Sequence, residues 1–230
     1  MSSNKSNHTN ILLIKNLLKT LMVTGKKSKQ VLINFTYRGS HKMSPVTHFL
    51  ISWSLANSYR INRKDRALVT IAGISPDFDG LGIIADILTR HTKHPLHLWG
   101  KFHHILGHNI GFILIFTFLV FCTSTRRWVA AVLTFLCMNI HLLCDLSGAR
   151  GPDGYQWPIP YFLSFSRNYM FTWEGQWALN AWPNFVVTGA AIVFVLYIAW
   201  KRGFSPVEII STHLDETFVK TLRNRFGNPN

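Results

Sequence analysis

The residues of this chain best suited to chemistry are imidazoles and carboxylates. The chain has 230 residues and only ten acidic ones, so the placement of each carboxylate is informative. Asp77 and Asp79 follow Pro76 at the end of an apolar run, and Asp145 ends another. A carboxylate at such a position is costly unless it is paired or bound to a metal. His141 and Asp145 are spaced so that a helix stacks both side chains on one face, about one turn apart, where both reach a single ion. His103, His104 and His108 open a further apolar segment. There His104 and His108 share a helical face, whereas His103 requires the helix to begin after it, so either pair suits a metal. His48 stands at the start of the first short apolar segment.

A ligand set of imidazole and carboxylate without thiolate suits Zn²⁺, Mn²⁺ or Fe²⁺, with zinc the first choice. The candidates His48, Asp77, Asp79, His103, His104, His108, His141 and Asp145 outnumber the ligands of a mononuclear catalytic zinc. Either more than one ion or a set of orienting residues behind the ligands is implied. A multinuclear site fits phosphoester hydrolysis. The rival reading is a structural metal or a satisfied polar network that locks helices together without catalysis.

The elements that must position these residues read as membrane helices. Hydrophobic residues make up 48% of the chain and charged residues 15%, against about a quarter charged in soluble domains. The segments 105–122, 128–144 and 185–200 are nearly free of charge and approach the ~20 residues that cross a bilayer. The segments 46–59 and 67–75 are apolar but shorter, and the basic turn Arg60, Arg63, Lys64, Arg66 separates them. The fold class expected is mostly α: about three membrane-spanning helices plus a short N-terminal helical hairpin.

Placing Arg60 to Arg66, Arg126, Arg127, Lys201 and Arg202 on the cytoplasmic side sends every candidate ligand to the opposite end of its segment, although Arg90, Lys93 and Lys101 fall with the ligands. The formal net charge of +14 invites a nucleic-acid partner. The basic residues cluster beside apolar segments, however, and no helix-turn-helix or zinc-finger spacing is present, so membrane lipid and a small-molecule or lipid substrate are the expected partners.

Three regions follow. Residues 1–42 carry eight Lys or Arg and no acid and read as a basic extension that precedes a natural start at Met43. Residues 43–200 form the membrane-embedded unit, and 201–230 a polar tail with a short helix from Pro206 and a frayed basic end. Two long connections, 80–104 and 146–184, are where function tends to sit. In the second, Trp157, Tyr161, Trp173 and Trp177 suit a membrane interface or a substrate mouth, while Asp153 and Glu174 read as solvated acids. His91, His94 and His97 lie in a basic loop without acid and read as surface residues. Cys122, Cys137 and Cys144 lack CxxC or disulfide-like spacing and read as packing residues.

The order THF, PDFD, HHILGHN, HLLCD resembles the YdjM-like inner-membrane metal-dependent hydrolases, from about Met43 to Trp200. In that family an N-terminal histidine is followed by PDxD, a HRGxTHS-like motif and a HxxxD-like motif. The resemblance thus implies His48, Asp77, Asp79, His103, His108, His141 and Asp145 as site residues, and a multi-pass location in a bacterial inner membrane. The chain departs in the third motif, where His104 stands for the usual arginine, Gly107 for the threonine and Asn109 for the serine; the choice between His103 and His104 stays open. The stretch GARGPDGYQWPIPYFLSFS resembles a narrower subgroup whose members begin at a MSPVTH-like sequence. A more distant similarity links the family to zinc-dependent phospholipases C, which implies hydrolysis by analogy alone.

Overall fold

A computed structural model of the chain describes residues 45–103, 105–151 and 154–229; the basic extension, Met43, His104 and Asp153 lie outside them. The described residues are mostly helical and contain no β-strand, only two isolated bridges within the 146–184 connection. Helix α1 spans Pro45–Ala56 and α2 Arg63–Ile74. A 3₁₀ segment over Ser75–Leu81 carries the chain into α3, Gly82–Thr89. The short α4 covers Leu98–Phe102, α5 Ile110–Thr123, α6 Arg127–Gly148 and α7 Trp182–Arg202. A second 3₁₀ turn at Pro206–Ile209 leads into α8, Thr212–Phe226.

Among the described residues, three helical stretches are long and apolar enough to cross a membrane: Arg63–Thr89, Arg127–Gly148 and Trp182–Arg202. Two of them contain the expected 128–144 and 185–200 segments. The third is a correction. The arm expected at 67–75 does not stop at Pro76, because a proline lacking its N–H is tolerated at the first turn of a helical segment, and the 3₁₀ segment begins there. Conversely, the segment expected at 105–122 yields a helix of only 14 residues. Asn109 ends the preceding loop by accepting from Phe112 N at 3.0 Å while its amide donates to Leu106 O at 2.7 Å, which makes it the N-cap. His103 and His108 therefore sit before the helix rather than on a face of it.

The helices are fastened at the basic end. The buried carboxylate of Asp65 accepts from Thr125 N and Arg126 N, both at 2.9 Å, and so ties α2 to the start of α6. Arg66 forks onto Glu208, with Nε to Oε1 at 2.8 Å and Nη2 to Oε2 at 2.6 Å. Arg202 donates to the Asn57 carbonyl at 2.7 Å. The region after Trp200 is thus docked, and in place of the expected frayed end α8 runs to Phe226, capped by Ser211.

Between the two ends, Ala56, Val69, Ala72, Ala130, Leu133 and Cys137 form one apolar cluster that joins α1, α2 and α6. The approach of α1 to α2 is close: a Cβ on Gly73 would lie 2.2 Å from Ser52 Oγ. Outward faces of the long helices stay apolar, with Val132 and Leu143 on α6 and Phe185 and Val193 on α7 all exposed. Surfaces of that kind on helices of this length are solvated by lipid rather than water.

Candidate metal centre

The end of the bundle opposite those fastenings gathers the imidazoles and carboxylates. His48 comes from the first turn of α1, Asp77 and Asp79 from the 3₁₀ segment, and His141 and Asp145 from successive turns of α6. His108 comes from the loop before α5, and His103 is the C-cap of α4. His48, His103, His108, His141 and Asp145 are buried, and Asp77 is the most open of the inner carboxylates, with 13% of its side chain exposed.

Asp145 is the hub. Its Oδ1 lies 3.2 Å from His48 Nε2, and its Oδ2 lies 3.2 Å from both His108 Nε2 and His141 Nε2. His141 Nε2 is also 3.6 Å from Asp77 Oδ1. Asp77, His108, His141 and Asp145 each offer one ligand atom within 4.8 Å of all the others. Ligands at about 2.0–2.2 Å from one ion stand roughly 3–3.5 Å from each other, which is the spacing of the shorter contacts here. The tautomer of His141 is fixed from behind: its Nδ1–H donates to the Gly73 carbonyl at 2.9 Å, leaving Nε2 to face the carboxylates. Nε2 of His48, Nε2 of His141 and Oδ2 of Asp77 are buried and make no hydrogen bond. Buried polar atoms at metal-ligand spacing, with two carboxylates to balance a divalent charge, fit a bound cation.

A second ring orients the first. Asp79 Oδ1 lies 2.7 Å from His103 Nδ1, while its Oδ2 lies 3.2 Å from His108 Nδ1 and accepts from Gly107 N at 3.2 Å. A carboxylate on the far nitrogen of an imidazole sets both its tautomer and its orientation. Asp79 therefore stands behind His108, and His103 behind Asp79. The loop is held close by backbone contact: a Cβ on Gly107 would lie 2.3 Å from Pro76 O. Trp99 stacks on His103 at 5.0 Å, and Trp157 meets both rings edge-on.

Of the residues singled out in the sequence, all the described ones in the candidate set meet here; His104 lies outside the described residues. His91, His94 and His97 are exposed. Trp173 and Trp177 pair with each other, and Tyr161 bonds Asn139. Three contributors carried no sequence signal of their own. Gln176 is fully buried, donates to the Asp145 carbonyl at 3.1 Å and accepts from Trp157 N at 2.8 Å, closing the 146–184 connection over the end of α6. The Gly73 carbonyl and the Gly107 N–H act through the backbone, where side-chain type is silent.

The chain matches no family model, no curated protein and no solved structure.

Proposed function

We propose that this chain is a membrane-embedded, metal-dependent hydrolase of phosphoesters or lipid-derived esters, as the YdjM-like resemblance implies. The observation that carries the reading is the convergence of His48, His108 and His141 Nε2 on the two oxygens of Asp145, beside Asp77. A divalent cation there supplies Lewis acidity for an ester or phosphoryl oxygen and acidifies a bound water. Zn²⁺ suits the donor set first, with Mn²⁺ and Fe²⁺ as the alternatives. His141 and Asp145 would hold the ion from α6, His108 from the loop, and Asp77 from the more open side of the centre. Asp79 keeps His108 in register. The apolar outer faces of the helices favour residence in a membrane and a substrate delivered from lipid, and the YdjM-like resemblance implies the bacterial inner membrane.

A second reading is favoured by the depth of the centre: the side chains of His48, His108, His141 and Asp145 are at most 6% exposed. On that reading the same residues hold a structural ion or a hydrogen-bonded network that locks α1, α2 and α6 together.

Metal per chain, measured by elemental mass spectrometry on the detergent-purified protein, tests both. A stoichiometric ion that is lost in Asp145→Asn, together with metal-dependent turnover of phosphoesters or phospholipids, supports the hydrolase. A retained ion without turnover across those substrates leaves the structural reading. No bound metal after reconstitution with zinc, manganese or iron overturns the metal centre.

A further inference from the structure

A second concavity lies at the basic end, away from the metal centre. It is a groove of about 1090 Å³ between α1 and α7, with Ile140 of α6 also lining it. Ala191 and Phe194 supply one apolar wall, and Arg60, Lys201 and Arg202 stand at the end where α7 terminates. From Ala191 to Arg202 the helix rises about 16 Å, close to half of the ~30 Å hydrocarbon core and so to the depth of one leaflet.

The charge of the groove is one-sided, since among the described residues no acidic one lines it. Its fourth cation, Arg66, is neutralised by Glu208. Among the described residues no carboxylate pairs with Arg60, Lys201 or Arg202. Arg202 is held by the Asn57 carbonyl, and Lys201 lies 3.2 Å from Tyr197 Oη, so two of the three cations are positioned rather than free to swing. Ser54, in the α1 wall, keeps a buried hydroxyl without a hydrogen-bond partner.

We propose that this groove binds an anionic phospholipid, with its phosphate on Arg60, Lys201 and Arg202 and an acyl chain along Ile140, Ala191 and Phe194. The two halves of the groove demand the two halves of such a molecule. A free anion leaves the apolar wall uncovered, and a zwitterionic lipid brings an ammonium to a mouth with no carboxylate to receive it. Guanidinium groups suit a phosphate because their planar donors match its oxygens. The position is also right, because the groove lies beside the apolar outer face of a helix long enough to span the bilayer.

The full chain, purified in mild detergent and offered phosphatidylglycerol and phosphatidylcholine in equal amounts, tests this by native mass spectrometry. Phosphatidylglycerol is retained preferentially by the unaltered chain. Arg60→Glu with Lys201→Glu, both at exposed positions, lowers that preference by about fivefold or more for each charge. Ala191→Trp, which fills the apolar wall and leaves the cations, lowers retention of the lipid itself, and a preserved helical circular dichroism spectrum certifies both variants. Equal retention of the two lipids by the unaltered chain overturns the proposal, as does a charge variant with undiminished preference. So does a groove occupied by a second copy of the chain, seen as a dimer that Ala191→Trp dissolves.

Discussion

His48 and His141 stack their rings at a centroid distance of 3.8 Å and an angle of 21°, although one opens α1 and the other lies near the end of α6. Side by side, their Nε2 atoms address the two oxygens of one carboxylate, Asp145. The pair thereby joins the first turn of α1 to the end of α6 through that carboxylate.

Asp145 is the first residue to test. Asp145→Asn keeps the volume of the side chain but turns one acceptor oxygen into an amide donor and removes the charge that faces all three imidazoles. Bound metal is expected to fall to background in elemental analysis while the helical circular dichroism spectrum is retained.

Asp79→Asn separates orientation from ligation. Its carboxylate lies behind His108 and His103 rather than among the inner ligands. Loss of such an outer carboxylate costs about 10–100-fold in metal affinity. A competition titration against a chelating dye should return that intermediate loss, distinct from the abolition expected for Asp145→Asn.

Gly107→Ala tests the backbone. The added methyl would meet Pro76 O at 2.3 Å, so the loop that carries His108 must move. Overpacking of this kind costs about 1–3 kcal/mol. Thermal unfolding in detergent should register the loss, together with weaker metal binding even though no ligand has changed.

Glu208→Ala acts at the other end. Removing one partner of a buried pair leaves Arg66 charged and uncompensated, a loss of about 3–5 kcal/mol. Stability should fall sharply in a thermal melt, while metal per folded chain should stay constant.

Much of the centre was legible because ionisable residues inside apolar segments are rare and expensive, so Asp77, Asp145, His141 and His48 announce themselves. The His141 and Asp145 spacing also reads directly, since a helix preserves it. His108 reads less well. Its neighbours suggest a helical start, and the turn that places it depends on Asn109 serving as a cap, a signal present in the sequence but masked by the apolar run around it. The long stretch Arg63–Thr89 was hidden for the opposite reason, because Pro76 and two aspartates interrupt the apolar pattern while the helical path continues. The parts supplied by Gly73 and Gln176 depend on which backbone comes near, which only the packed structure specifies.

The imidazoles and carboxylates of the centre all lie between His48 and Asp145, and α7 contributes none of them. During synthesis the inner ligands have all been added to the chain before the first residue of α7. The His/Asp cluster needs no residue of α7, so the packing of α1, α2 and α6 around it is separable from the docking of the last apolar helix.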